Sequence, residues 1–149
     1  MLKQRKGGFT LVEIMLVVII IGILVAMVAP NLAGRGEQAR RQVAKADIEV
    51  NLATALDLYE LDNGRYPTTE QGLAALIAKP TSNPEPKNWS GPYLKKKQIP
   101  SDPWQRDYVY ASPGIKNQES YDLSSYGPDG AENGGDDVTN WSDEAMLNE

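Results

Sequence analysis

The stretch Gly8-Phe9-Thr10-Leu11-Val12-Glu13, followed by an unbroken apolar run over residues 14–29, decides the architecture of this chain. Across residues 9–29 the only strongly polar side chains are those of Thr10 and Glu13. A helix of this length, at about 1.5 Å per residue, is roughly 32 Å long, which matches the hydrocarbon thickness of a bilayer. The composition therefore predicts a membrane-spanning helix over residues 9–30.

Residues 1–8 form a short basic leader before this helix, with charges at Lys3, Arg5 and Lys6. Basic flanks stay in the cytoplasm, so we expect a cytoplasmic N-terminus and export of everything after Pro30. A secretory signal carries its small cleavage-site residues after the apolar stretch, whereas Gly7-Gly8 comes before it. The sequence therefore predicts a retained single-pass helix with an exported part of about 120 residues, enough for one small domain.

Glu13 is the residue that a plain membrane anchor does not require. A carboxylate at mid-bilayer costs about 2.5–3.5 kcal/mol, and less near the interface. One interpretation is an interfacial acid that reaches back to the headgroups. The other is a functional acid: if the chain is cut between Gly8 and Phe9, the new α-amine lies one helical turn from Glu13 and can also meet the Glu13 of an adjacent copy. The residues alone leave both open.

The junction Gly8-Phe9-Thr10-Leu11-Val12-Glu13 resembles the class III signal of type IV pilins and pseudopilins. This resemblance implies that prepilin peptidase cuts between Gly8 and Phe9 and that Phe9 is then N-methylated. It also implies that Glu13 pairs with the N-terminus of a neighbouring subunit when the helices assemble into a filament.

Residues 31–62 read as a hinge followed by an amphipathic helix. Pro30, Gly34 and Gly36 lie close together and predict a hinge or a locally melted segment. From residue 37 to residue 61 apolar residues recur at helical spacing and predict one broad stripe that faces the core. The members of this stripe are Val43, Ala46, Ile48, Val50, Leu52, Ala53, Ala55 and Tyr59.

Residues 63–149 predict a small periplasmic globular part that is rich in loops. Asn63-Gly64 ends the long helix, and Thr68 and Gln71 have capping-box spacing before a short helix that ends ahead of Pro80. Prolines are dense beyond this point, so regular structure should be sparse. The strand candidates are residues 108–110 and 121–124. The aromatic residues that we expect in the core or as loop anchors are Tyr66, Trp89, Trp104, Tyr108 and Tyr110.

Three further segments resemble the major pseudopilins of type II secretion systems: Tyr66-Pro67-Thr68-Thr69-Glu70-Gln71-Gly72, Gly91-Pro92-Tyr93-Leu94 and Asp102-Pro103-Trp104. The resemblance implies an α+β, type IV pilin-like fold, in which a long N-terminal helix packs on a small antiparallel sheet with a loop-rich C-terminal region. It implies a subunit that waits in the bacterial inner membrane and then polymerises into a periplasmic pseudopilus that drives export of folded proteins. The implied partners are further copies of itself, minor pseudopilins, prepilin peptidase and the inner-membrane assembly platform.

Composition restricts the other function classes. The chain has no Cys and no His, which excludes disulfides, the usual Cys/His zinc sites and Ser-His or Cys-His catalysis. A membrane-tethered glycosidase that uses Asp102 or Asp129 is another alternative. Against it, the acids cluster in a turn-rich loop, and the sequence indicates no domain large enough to form a cleft. Nucleic-acid binding is not expected, because the one basic run is Lys95-Lys96-Lys97 in an acidic chain of net charge −5. A type IV pilin of a surface fibre shares the leader and is the main alternative, although the cysteine pair that often closes a pilin's C-terminal loop is missing.

The C-terminal region concentrates negative charge. Residues 117–149 hold nine acids and no Lys or Arg, so the remainder of the chain sums to +4. Within this region residues 126–137 combine turn-forming glycines with carboxylates. Calcium takes six to eight oxygens from carboxylates and backbone carbonyls, but the spacing here is not that of an EF-hand. The residues alone leave a calcium site and a solvated acidic loop both open.

The resemblance to major pseudopilins favours calcium, because members of that family bind it in this loop. The implied ligands are the side chains of Asp129, Asp136 and Asp137, with main-chain oxygens of Tyr126 and Ala131. Many members carry a serine ligand where this chain has Gly134, which offers its carbonyl alone. Glu132, Asn133 or water would then complete the shell.

Overall fold

The computed structural model describes residues 8–142, apart from the side chains of residues 28–33. The chain divides into two compact units, Met1–Gln38 and Ala39–Glu149. The predicted leader, except for Gly8, lies outside the described residues, and so do the acids Asp143, Glu144 and Glu149 at the other end.

The first helix, α1, runs over Leu11–Ala46. In the N-terminal unit the large apolar side chains of residues 9–27 are all exposed, by 47% to 80%. No helix within the part of the chain whose side chains are described combines the length and the hydropathy needed to cross a bilayer. The span predicted for residues 9–30 includes residues 28–30, whose side chains lie outside that part, and it stays a prediction.

The backbone of residues 30–36 is helical and belongs to α1. The sequence predicts an interruption there, and the structure differs. A proline inside a helix removes one N–H donor, but the backbone hydrogen bonds on either side of it can still form. Gly34 and Gly36 each cost about 1 kcal/mol relative to alanine. A helix of 36 residues carries these local costs because its hydrogen bonds form cooperatively.

A π-helical segment, Asp47–Leu52, follows α1 and leads into α2, Ala53–Asn63. The buried stripe is narrower than the sequence predicts: Ile48, Leu52, Ala55, Leu56 and Tyr59 are at most 2% exposed. For Val43, Ala46 and Val50 the predicted stripe is wrong, since Val43 and Val50 are 53% and 58% exposed and Ala46 is exposed as well. These residues have the same helical spacing as the buried ones, so spacing alone does not show which side of the helix joins the core.

The predicted end of the helix and the predicted capping box are confirmed. Gly64 adopts the left-handed conformation with φ 74°, which a glycine allows at low cost. Thr68 N–H donates to Gln71 Oε1 at 3.1 Å, and Gln71 N–H donates to Thr68 Oγ1 at 3.2 Å. The short helix that follows is a 3₁₀ helix, Leu73–Leu76, which places Leu73 and Leu76 in the core.

The sheet has three antiparallel strands in the order β1-β2-β3, and their ranges are Val109–Ala111, Asp122–Ser125 and Val138–Thr139. Strands β1 and β2 confirm the two sequence predictions with a shift of one residue, while β3 is missed because two residues carry no readable alternation. The register pairs Tyr110 with Leu123 and Ser125 with Val138. Tyr108, Tyr110, Tyr121 and Leu123 join the buried residues of the helix in one core, which confirms the predicted α+β architecture.

Candidate metal site

The acidic loop, residues 126–137, connects the central strand β2 to the edge strand β3. Its path depends on left-handed residues: Gly127, Gly130 and Gly135 have φ of 61°, 70° and 81°, and Asn133 has φ of 63°. Glycine and asparagine adopt this conformation more readily than other residues. The glycines therefore let a short loop turn repeatedly and bring side chains from its two ends together.

The loop brings together the three carboxylates that the sequence singles out. Asp129, Asp136 and Asp137 each offer an oxygen, and these oxygens lie within 4.8 Å of one another. Part of their capacity is satisfied within the loop: Ala131 N–H donates to Asp129 Oδ1 at 2.8 Å, and Asn133 N–H donates to Asp137 Oδ2 at 2.8 Å. The Oδ1 atoms of Asp136 and Asp137 are buried and accept no hydrogen bond from any described residue. Three neighbouring carboxylates, two of which keep a buried oxygen without a hydrogen bond, are a set of oxygen ligands that fits a hard cation.

The main-chain oxygens expected as ligands take part in hydrogen bonds of the loop. Gly130 N–H donates to the Tyr126 carbonyl at 3.1 Å, and Gly134 N–H donates to the Ala131 carbonyl at 3.3 Å. A carbonyl has two lone pairs, so each oxygen keeps one acceptor site. The role of these carbonyls as ligands stays a prediction.

Gly134 lies directly beneath the carboxylates. A Cβ there would overlap Asp129 Oδ2 and would stand 2.8 Å from Asp136 Oδ1. A side chain at position 134 would therefore collide with the aspartates of this chain. That the Gly134 carbonyl is a ligand stays a prediction. Glu132 and Asn133 are exposed in the same loop, and their role as ligands also stays a prediction.

The candidate assembly residue Glu13 lies in the first turn of α1, where it forms a reciprocal cap. Thr10 N–H donates to Glu13 Oε2 at 3.4 Å, and Glu13 N–H donates to Thr10 Oγ1 at 3.2 Å. These are the two bonds of a capping box, and the Thr-x-x-Glu spacing is the signal that the sequence reasoning overlooked. Gly8 and Phe9 precede the helix in an exposed, non-helical backbone.

Asp102 is unsuited to the catalytic role considered above. It is 4% exposed, and its oxygens accept hydrogen bonds from Trp104 N–H at 3.0 Å, Arg106 N–H at 2.8 Å and Ser125 Oγ at 2.6 Å. A carboxylate that is buried and accepts three hydrogen bonds from its own chain organises local structure.

Asp122 is a second buried carboxylate with three hydrogen-bond donors, and the sequence did not indicate this role. It is 9% exposed on β2, and it accepts N–H bonds from Ile115 at 2.7 Å, Lys116 at 2.9 Å and Asn117 at 2.9 Å. Three donors from one turn occupy most of the roughly four acceptor sites of an ionised carboxylate, and each oxygen accepts at least one bond. Asp122 therefore fastens the turn after β1 to the central strand.

A third polar cluster closes the end of α2. Asp62 Oδ2 accepts hydrogen bonds from Ser90 Oγ and, at 2.8 Å, from Tyr93 OH. These hydrogen bonds, of which that from Ser90 has the larger effect, hold the pKa of Asp62 below its usual value of 3.8.

Burial raises the pKa of several core tyrosines, and it raises that of Tyr121 to about 12.

Two family models match this chain. The model described as type II secretion system protein G covers residues 31–141, and the model of the prokaryotic N-terminal methylation motif covers residues 3–29. The first match includes the acidic loop, and the second includes Gly8, Phe9 and Glu13.

Relatives with a curated description are similar over nearly the whole chain. The type II secretion system core protein G of Pseudomonas aeruginosa is 52% identical over 145 residues, which cover 95% of this chain and 99% of that protein. The core protein G of Vibrio cholerae is also 52% identical, with 95% and 97% covered. A crystal structure of the major pseudopilin from the type 2 secretion system of enterohaemorrhagic Escherichia coli superposes with a TM-score of 0.64 at 48% identity, covering 75% of this chain and 95% of that one.

Proposed function

The chain belongs to the type II secretion system protein G family, the major pseudopilins, and on that basis we propose how it matures, where it works and what its acidic loop binds. It is a structural subunit of the pseudopilus of a type II secretion system. The observation that carries this function is the match to protein G over residues 31–141, joined to the methylation motif over residues 3–29. Filament growth would push folded proteins toward the outer membrane, and this match favours the pseudopilus over a surface fibre.

Maturation begins with cleavage between Gly8 and Phe9 by prepilin peptidase, followed by N-methylation of Phe9. The exposed, non-helical backbone at these two residues supports this proposal, because a peptidase must reach the bond it cuts. Glu13 is then available to a neighbouring subunit, since a carboxylate has about four acceptor sites and the cap with Thr10 uses one of its oxygens.

Before assembly the chain resides in the inner membrane as a single-pass protein with a cytoplasmic N-terminus, and afterwards it lies in the periplasmic filament. Its partners are further copies of itself, minor pseudopilins, prepilin peptidase and the assembly platform of the inner membrane. It acts as a structural subunit and neither as an enzyme nor as a nucleic-acid-binding protein. The buried carboxylate of Asp102, which accepts three hydrogen bonds from its own chain, supports the structural role.

Intact-mass measurement and N-terminal sequencing of the chain from native membranes test the maturation. We expect a chain that begins at N-methylated Phe9. A Gly8→Val variant is the matched control, since nothing lies within 4 Å of a Cβ at Gly8 and retention of its leader would therefore report peptidase recognition. A wild-type chain that keeps residues 1–8 would leave a tethered domain without the proposed assembly.

Deleting the gene tests the export role. We expect the strain to stop secreting folded proteins across the outer membrane and to keep its surface fibres. Loss of surface fibres with secretion intact would instead support the surface-fibre alternative.

We also propose that the acidic loop binds calcium through Asp129, Asp136 and Asp137, with carbonyls of Tyr126 and Ala131. The supporting observation is the pair of buried Oδ1 atoms that lack a hydrogen-bond donor beside a third carboxylate. A flexible glycine loop that mixes carboxylates with carbonyls suits calcium better than magnesium, which demands a near-ideal octahedron. An ion bound to the folded state alone would stabilise the domain by mass action.

Calorimetric titration of the full chain in detergent micelles, after removal of divalent ions with EGTA, tests this proposal. We expect one calcium site with a Kd of about 10⁻⁴–10⁻³ M, as in extracellular sites of this class, and a matching rise in Tm. Magnesium at equal concentration is the control and should give a much smaller shift. The absence of both heat and a Tm shift with calcium would identify a solvated loop.

A further inference from the structure

One residue of the acidic loop, Gly127, is held through both of its backbone polar groups by residues outside the loop. The carbonyl of Gly127 accepts a hydrogen bond from Arg106 Nη2, and the N–H of the same residue donates to Ser125 Oγ at 3.4 Å. Gly127 is buried and left-handed, with φ of 61°. The first turn of the loop is therefore fixed at the point where the chain leaves β2.

Both holding groups are positioned by the carboxylate of Asp102. Its Oδ1 accepts the Arg106 N–H at 2.8 Å, and its Oδ2 accepts the Ser125 hydroxyl at 2.6 Å. Asp102 N–H in turn donates to the Arg106 carbonyl at 2.7 Å. A buried carboxylate with this set of bonds fixes the backbone on which the Arg106 side chain stands.

The Arg106 guanidinium extends along the turn to Gly130. A Cβ at Gly130 would overlap Arg106 Nη1, so the guanidinium lies against the bare Cα of that glycine. Gly130 is left-handed with φ of 70°, and its N–H donates to the Tyr126 carbonyl at 3.1 Å. The Nε of Arg106 is buried and has no hydrogen-bond partner among the described residues. The guanidinium thus contacts residues on both sides of Asp129 and is partly enclosed.

We propose that Arg106 is the positioning residue of the acidic loop: it holds residues 127–130 in the conformation that brings Asp129 to Asp136 and Asp137. The calcium aspect of this role rests on the proposed function, whereas the positioning of the turn does not. A guanidinium suits the positioning of this turn, because its rigid, planar group can contact the Gly127 carbonyl and the Cα of Gly130 at the same time.

The test compares Arg106→Gln with Arg65→Gln in the full chain in detergent micelles. Arg65 is a matched control because its Nη2 donates to the Pro84 carbonyl at 2.7 Å, which is the same kind of contact in another loop. In EGTA, we expect the amide of Gly130 to exchange its hydrogen at least ten-fold faster in Arg106→Gln than in the wild type and in Arg65→Gln. Unchanged exchange at Gly130 would overturn the proposal.

The calcium concentration for half-saturation supplies a second readout. We expect it to rise about ten-fold in Arg106→Gln, less in Arg106→Lys, and not in Arg65→Gln. Calcium binding in Arg106→Gln that equals or exceeds that of the wild type would show that Arg106 merely repels the ion, which contradicts positioning. If the wild type gives no calcium response but the Gly130 amide exchanges faster in Arg106→Gln, the positioning role of Arg106 is upheld. Only the proposed calcium site is then refuted.

Discussion

The turn held by Asp122 and the acidic loop lie at the two ends of the same central strand, and both are built around carboxylates. Asp122 is buried and accepts three backbone N–H bonds of 2.7 to 2.9 Å. In the acidic loop, Asp136 and Asp137 each keep a buried oxygen that accepts no bond from the described residues, and the neighbouring acidic group is Asp129. Both carboxylate oxygens thus accept hydrogen bonds in Asp122, whereas Asp136 and Asp137 each keep one buried oxygen without a donor among the described residues.

The difference shows how a structural carboxylate can be told from a candidate ligand. An acid surrounded by N–H donors gains its stability from the folded chain itself. An acid that has other acids beside it, and keeps a buried oxygen without a donor, is destabilised by desolvation and repulsion unless a cation joins it. Removing the carboxylate of the turn should therefore destabilise the protein equally with and without calcium. Removing a carboxylate of the acidic loop should destabilise it only when calcium is present.

Asp122→Ala should produce the largest effect, because it removes the acceptor of three backbone donors. Hydrogen bonds to charged groups contribute about 1.5–3 kcal/mol each and are not additive, so we expect unfolding to become about 3 kcal/mol easier. Chemical denaturation of the full chain in micelles, with calcium and with EGTA, should give the same loss. The exposed Asp107→Ala is the control. A loss that appears in calcium alone would break the comparison.

Asp136→Ala should produce an intermediate effect that is confined to calcium. At 1 mM calcium and a Kd of about 10⁻⁴ M, ligand linkage contributes about 1.4 kcal/mol, which the variant should lose. In EGTA the variant should be as stable as the wild type or slightly more stable, because one of three like charges is gone. Thermal unfolding with and without calcium measures this, with Glu119→Ala as the control. A calcium-dependent shift that survives in Asp136→Ala would remove Asp136 from the site.

Asp62→Asn should produce the smallest effect, and it adds to the comparison a third acid that accepts hydrogen bonds from its own chain. Hydrogen bonds from Ser90 and Tyr93 lower the pKa of Asp62 below 3.8. A lowered folded-state pKa contributes stability that is present above the unfolded pKa and is lost as pH falls through the folded value. The Tm of the wild type should therefore fall more steeply than that of Asp62→Asn as the pH drops below about 4, whether or not calcium is present. Parallel curves would show that Asp62 contributes nothing.

Local, periodic signals predicted much of the fold. The spacing of Ile48, Leu52, Ala55 and Tyr59 matches the buried face of the helix, and Thr68 and Gln71 form the expected reciprocal cap. The three aspartates of the loop are brought together as their glycine-rich setting predicts. These features depend on residues close in sequence, so a single chain reveals them.

Features that depend on distant partners were not predictable. Val43 and Val50 share the helical periodicity of the core residues, and the placement of the sheet decides that they remain exposed. Asp122 and Arg106 look like ordinary surface charges in the sequence. Their roles depend on where residues 115–117 and Gly127 come to lie after folding. Helical continuity through residues 30–36 likewise reflects the cooperativity of a long helix, which local residue costs do not report.

The π-helical segment Asp47–Leu52 has a consequence for how the chain length can vary. Each hydrogen-bonded ring of a π-helix encloses one residue more than an α-helical ring. Deleting Val50, which is 58% exposed, would let the segment become ordinary α-helix. The same residues of α2 would then still face the core. A deletion within α2 would instead rotate everything beyond it by about 100° and expose core residues. The segment is a point where homologous chains can lose one residue and keep the same core.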